Sequence, residues 1–133
     1  MKPISFRSKR SLLVLVFSAA ALLAGCASMS GTSPASVSDG VLTGPKGMTL
    51  YTFDKDMAGS GKSACNGKCA ANWPPMVADE MAQASGDYSI IRRDDGSKQW
   101  VFKGKPLYYW IKDSKPGDRT GDGFNKVWQL ARP

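Results

Sequence analysis

Tyr51 and Asp56 stand five positions apart, and so do Tyr108 and Asp113. A phenol can donate a hydrogen bond to a carboxylate whose other oxygen accepts backbone N–H groups of the following loop. Each pair also carries an aromatic two residues after the tyrosine, Phe53 in the first and Trp110 in the second. Cys65 and Cys69 offer sulfur, and Asp118 and Asp122 offer hard oxygen in a glycine-rich stretch. The chain has no histidine, so acid–base work at neutral pH would need a strongly shifted carboxylate or lysine. It has no Ser-His-Asp set, no G-x-S-x-G, no phosphate-binding glycine loop and no haem attachment motif. The carboxylate pairs Asp54/Asp56 and Asp94/Asp95 fall in evident turns. An enzyme is not expected, and no catalytic residue is assigned.

Each constellation has a sharp reading and a plain one. The tyrosine–aspartate units form either a fold-defining corner, with aromatics filling a small core, or an aromatic face for a glycan or an apolar ligand. The corner is favoured, because a small domain needs aromatic burial. Cys65 and Cys69 form either a disulfide or a redox or metal site. Thiolates would suit Cu(I), but a two-thiolate site would need Met48, Met57 or Met76 to complete it. The C-x3-C spacing is also not the C-x2-C of thioredoxin-like enzymes. A disulfide is the expectation, with copper or redox handling as the alternative. Asp113, Asp118, Asp122 and Asn125 could surround calcium, yet the alternation and closing glutamate of an EF-hand loop are missing. Asp118 and Asp122 are weak metal candidates, and no cofactor is expected.

The elements that position these residues come in two copies. Gly47-Met-Thr-Leu-Tyr51-Thr-Phe53-Asp-Lys-Asp56 aligns without gaps on Gly104-Lys-Pro-Leu-Tyr108-Tyr-Trp110-Ile-Lys-Asp113, 57 residues later. Each copy passes through a polar glycine-rich loop to a tryptophan, Trp73 or Trp128. A repeat of this quality sets the architecture. Strands are expected over Val41–Thr43, Met48–Phe53, Asp87–Arg93, Gln99–Lys103, Leu107–Ile111 and Val127–Ala131. Asp95-Gly96 marks a hairpin turn. Ser63–Asn72 could hold a short helix that Gly67 weakens and Trp73-Pro74-Pro75 ends. Val77–Ser85 stays ambiguous. The expected fold is mostly β, a small antiparallel domain of two repeats with at most one short helix. Repeat 1 covers about 40–76 and repeat 2 about 98–131, within a domain spanning 39–133.

The first 25 residues read as a targeting segment. Lys2, Arg7, Lys9 and Arg10 precede an apolar run, Leu12–Ala24, that is too short to span a bilayer. It ends in Leu23-Ala24-Gly25-Cys26, which resembles the bacterial lipobox. That resemblance implies cleavage before Cys26, a thioether lipid on its sulfur and an acyl chain such as palmitate on the new amino group. Several chains together make a lasting anchor. Ala27 in place of Asp implies, by the sorting rule of Gram-negative lipoproteins, passage to the outer membrane, on its periplasmic face. Residues 26–38 read as the lipidated cysteine and a flexible Ser/Ala/Gly/Thr/Pro tether. Cleavage would leave 108 residues, enough for one small domain. Without the leader's four cations the +7 formal charge falls to +3. The remaining charges form no basic block, so nucleic acid is not an expected partner.

The two Y-x4-D units, Cys65-Asn-Gly-Lys-Cys69-Ala-Ala-Asn-Trp73-Pro-Pro, Gln99-Trp100 before Gly104-Lys-Pro-Leu-Tyr108, the Pro116–Gly123 loop and Trp128 together resemble one family. It is the bacterial secreted-repeat lipoproteins with a Tyr-x-aromatic-x-x-Asp motif. The resemblance covers the chain from about Gly40 to Ala131. It implies a secreted or lipid-anchored domain of unestablished function. The expectation is therefore a lipid-anchored module of the cell envelope with a binding or structural role. Its partners would be the membrane through the anchor and an envelope protein or glycan.

Overall fold

A computed structural model describes Pro3 and residues 32–133. The expected leader, its cleavage site and Cys26 lie outside the described residues. Among those described, no helix is long and apolar enough to cross a membrane.

The order is β1 (Ser36–Ser38), β2 (Val41–Thr43), β3 (Tyr51–Phe53), α1 (Lys68–Asn72), β4 (Val77–Ala78), β5 (Tyr88–Arg92), β6 (Lys98–Phe102), β7 (Lys105–Pro106), a 3₁₀ turn (Phe124–Lys126) and β8 (Trp128–Leu130). All pairings are antiparallel, as the alternating short strands and turn signals predict: β1 with β2, β3 with β8, and β6 with β4, β5 and β7. Asp95-Gly96 does turn the β5–β6 hairpin, with Gly96 at φ 86°.

At the centre, Tyr51 and Tyr108 exchange both backbone hydrogen bonds, 2.8 and 3.0 Å. Around this pair the two repeats are laid out with the same bonds. Leu50 N donates to Leu42 O (2.9 Å) and Ala131 N donates to Leu50 O (2.9 Å). In the second copy, Leu107 N donates to Trp100 O (3.0 Å) and Met76 N to Leu107 O (2.9 Å). The repeats are therefore interlocked. The closing segment of repeat 1, Trp73–Ala78, runs beside the tyrosine strand of repeat 2. The closing segment of repeat 2, Trp128–Ala131, runs beside that of repeat 1.

Strand alternation sends neighbouring side chains to opposite faces of this central sheet, and both faces are buried. Val41, Tyr51, Cys65, Trp73, Tyr108, Trp110, Trp128 and Leu130 cluster on one face. Ala35, Leu42, Leu50, Met76, Phe102, Leu107 and Ala131 cluster on the other.

Three details differ from expectation. Leu107–Ile111 is no regular strand: Tyr109 N donates to Pro74 O (2.7 Å) and Ile111 N to Asn72 O (3.0 Å), but Pro74 and Pro75 have no N–H to return. The helix is cut to Lys68–Asn72 because Gly67 sits in the left-handed region at φ 57°. The ordered domain also begins before residue 39, since Ala35 is buried and Ser36–Ser38 pairs with β2.

Candidate functional site

The tyrosine–aspartate units do pair, but across the repeats. Tyr51 Oη donates to Asp113 Oδ2 at 2.6 Å, and Tyr108 Oη donates to Asp56 Oδ2 at 2.5 Å. Each aspartate then caps its own repeat's loop. Asp56 Oδ1 accepts the Ala64 N–H at 2.6 Å, and Asp113 Oδ1 accepts the Thr120 N–H at 3.0 Å and its hydroxyl at 2.6 Å. One repeat's phenol thus holds the other repeat's loop. Both tyrosines are fully buried, and both aspartates nearly so. Burial, followed by the carboxylate each phenol faces, pushes both phenols well above the usual tyrosine range. Burial also raises the Asp56 carboxyl, outweighing the bonds from Tyr108 and Ala64 and the nearby Arg93 charge.

The companion aromatics form a stack that alternates between repeats, in the order Phe53, Trp128, Trp73, Trp110. Ring centroids lie 4.3, 3.8 and 4.0 Å apart. Tyr51 meets Trp73 edge-on at 5.3 Å, and Tyr108 meets Trp128 the same way at 5.1 Å. Trp73, Trp110 and Trp128 are buried, and Phe53 is packed against the same cluster. The motif aromatics make the core, and only an edge of the stack, at Phe53, Trp73 and Trp128, borders a surface hollow of about 330 Å³.

The symmetry breaks beside Asp56. Ser63 Oγ lies 2.7 Å from Tyr108 Oη and accepts from Arg93 Nη1 at 3.0 Å. Arg93, buried, also donates to Gln99 Oε1 at 2.7 Å and to the Cys65 carbonyl. Gln99, fully buried, passes the chain on to Leu107 O at 2.8 Å. Repeat 1's loop is thus tied into β5 and β6 through a buried polar network whose donors and acceptors are all satisfied. Sequence reasoning missed Arg93. Its one signal was a position at a strand end just before a turn, where a cation is ordinarily exposed.

Cys65 and Cys69 are joined as a disulfide, so neither presents a thiolate. Of the methionines that a copper site would need, Met76 sits in the opposite cluster, Met48 lines a hollow with Pro45 and Tyr109, and Met57 is 77% exposed. Asp118 is occupied as a turn cap. Its Oδ2 accepts Ser114 N at 2.8 Å, Ser114 Oγ at 3.0 Å and Lys115 N at 3.2 Å. These bonds, from Ser114 first, hold its carboxyl below the usual range. Asp122 is exposed and joins no cluster; among the described residues no three His, Cys, Asp or Glu side chains converge as a metal site.

Among the described residues, a cleft of about 570 Å³ opens on the opposite face, lined by Pro34, Met76, Asp79, Met81, Trp100 and Tyr109 among others. Trp100 is the single tryptophan of four outside the buried set, and Tyr109 is half-buried. The two rings bear no hydrogen bond to the described residues, and the Tyr109 hydroxyl packs over Gly44. Burial pushes the Tyr109 phenol up.

A family model described as a secreted repeat of unknown function matches this chain twice, over residues 33–77 and 89–132. Each matched segment begins one strand earlier than the repeat bounds read from the sequence, at β1 and β5. No curated protein matches the chain, and no solved structure does.

Proposed function

The chain belongs to the family of secreted repeats of unknown function, and from that premise we propose that it is a lipid-anchored envelope module that binds a glycan through the Trp100–Tyr109 cleft. The observation that carries a non-catalytic reading is the closure of the tyrosine–aspartate set. Tyr51, Tyr108, Asp56 and Asp113 are buried and spend their hydrogen-bonding capacity on each other and on two loops. That set makes a rigid scaffold, and contact is left to the surface. At the cleft, half-buried aromatic rings can stack on the C–H faces of sugars, and the Asp79 carboxylate can accept sugar hydroxyls. Anchorage rests on Cys26 and the apolar run before it.

An intact mass of the native protein, with and without reductant, tests the anchor. A chain starting at lipidated Cys26, gaining about two hydrogens on reduction, is the expected result; an unmodified Cys26 overturns the anchor. Binding is tested by titrating the protein with soluble peptidoglycan strands while following tryptophan fluorescence. A saturable change that Trp100→Ala removes supports the glycan. An unchanged signal, or binding that survives Trp100→Ala, overturns this site.

A further inference from the structure

The interlocking of the repeats has a consequence for partners. Besides the hairpins that each half forms by itself, a set of contacts through the central sheet joins residues 32–78 to residues 88–133. The set includes β3 with β8, β4 with β6, and Tyr51 with Tyr108. It includes as well both tyrosine–aspartate bonds and each step of the four-ring stack. Within its own half each buried tyrosine meets one tryptophan edge-on, but the stacked ring pairs among the described residues all join one half to the other. The two halves are joined only by the segment Asp79–Asp87, which lies exposed apart from Ala82. Its hydrogen bonds are local, Ala82 N to Asp79 O, Met81 N to Asp79 Oδ1 and the Ser85–Tyr88 pair, apart from the one that Lys103 N donates to Asp87 O at 2.8 Å. Its ties to β6 are the bonds from Lys98 to Glu80, a 3.0 Å ion pair and a 3.5 Å contact.

We infer that the partner this fold accommodates is a second copy of the chain, with residues 32–78 of each copy completed by residues 88–133 of the other. The exchange forms no contact that the single chain lacks, so it needs only the connecting segment to open. The geometry of that segment sets which form wins. Ala78 and Arg92 are both level with Lys98, on opposite sides of β6, while Tyr88 is level with Phe102. The segment must therefore run back along four residues of β6 and cross two strand spacings, about 17 Å in all. Ten steps from Ala78 to Tyr88 reach about 33 Å, so the single chain closes with slack. Removing Glu80–Gly86 leaves three steps, about 10 Å, which cannot span the gap.

The full chain and a variant lacking Glu80–Gly86 are compared by light scattering on a sizing column, with near-ultraviolet circular dichroism reporting the tryptophan stack. The expected result is a shortened protein of twice the mass with the parent's aromatic spectrum. A folded monomer of the shortened chain overturns the inference. Should that variant fail to fold, a second one decides. A protease site is placed at Gln83–Ala84 of the full chain, which is cut, and tagged and untagged cut proteins are mixed. Pieces that stay associated and trade mates over days support exchange. Pieces that separate, or never trade, overturn it.

Discussion

The two polar loops that follow the tyrosine strands do one job by different means. Both place a backbone N–H on an aspartate that the other repeat's tyrosine holds, Ala64 on Asp56 and Thr120 on Asp113. Beyond that residue they diverge. Repeat 1 continues with Cys65, closed onto Cys69 by a disulfide and roofed by Arg93. Repeat 2 continues with Gly121, whose missing side chain lets the backbone press against the stack. A Cβ there would lie 2.7 Å from Trp73 and 3.0 Å from Trp110. Repeat 2's loop is further held by Asp118, which caps Ser114 and Lys115 and accepts Thr49 Oγ1 at its carbonyl, 2.6 Å. A covalent staple and a buried cation fix one loop; close packing and a turn cap fix the other. The pseudo-symmetry is thus strict in the central sheet and its tyrosine–aspartate bonds, and it breaks in the loops beyond them, where a buried arginine with a disulfide holds one and close packing with a turn cap holds the other.

The largest effect is expected where the halves share a residue. Trp73→Ala removes the inner ring that touches Trp110, Trp128 and Tyr51, and truncating a buried tryptophan costs about 3–5 kcal/mol. That is a large part of a small domain's stability. Denaturant melts should place Trp128→Ala within error of it, because the two rings are equivalent. A large difference between them would show that one repeat carries the core alone.

Next in size are the two phenols. Tyr108→Phe and Tyr51→Phe each leave a nearly buried carboxylate short of a donor, costing about 1.5–3 kcal/mol. Tyr108 should sit at the upper end, since Ser63 and Asp56 both lose it as a partner. Both phenols have folded pKa values raised above the ordinary 10.0, by burial first. The folded state therefore favours their protonated forms. That contribution is complete below pH about 10 and is lost as pH climbs above it. An alkaline absorbance titration should find two tyrosines that ionise only as the chain unfolds, and one fewer in each Phe variant. If all four titrated freely near pH 10, the buried pairing would be wrong.

The loops themselves come third. Replacing both Cys65 and Cys69 by Ser removes a five-residue closure worth roughly 2 kcal/mol in the chain-entropy model. Gly121→Ala forces a methyl into the stack, at about 1–3 kcal/mol. Hydrogen exchange should sharpen the contrast. The cysteine variant loosens the Asp56-capped loop and spares the stack, whereas Gly121→Ala speeds exchange across both repeats. Equal patterns in the two variants would remove the distinction between staple and packing.

Much of this was legible in the sequence. The gapless 57-residue repeat placed Tyr51 and Tyr108 in equivalent strands, and alternation put Phe53 and Trp110 on their faces. Cysteine count and spacing pointed to the disulfide. What was not legible was the partner of each tyrosine. Spacing within one repeat suggests that Tyr51 meets Asp56, five residues on, whereas the fold sends it to Asp113. A linear motif cannot distinguish a repeat that closes on itself from one that closes on its twin, because both satisfy the same local chemistry. Arg93 was hidden for a related reason. Its acceptors, Ser63 and Cys65 O in repeat 1's loop and Gln99 in β6, lie in two separate segments that only the interlocked sheet brings together.

The smallest expected effect has the opposite sign. Repeat 2's loop ends with Asn125 and Lys126 both in the left-handed region, at φ 50° and 60°. Asparagine tolerates that conformation, but an ordinary side chain is strained there by about 1 kcal/mol or more. Lys126 is exposed, and its side chain makes no hydrogen bond to the described residues. Lys126→Gly relieves the strain and gives back part of it through the added freedom of glycine in the unfolded chain. A gain of a few tenths of a kcal/mol remains, readable as a shift in the denaturation midpoint at unchanged slope. Gly123→Ala, at φ 74° in the same loop, should lose stability for the same reason. If neither variant moved the midpoint, the loop would be free to change its backbone without disturbing the Asp113 cap. The two loops would then differ in rigidity as well as in the means that hold them.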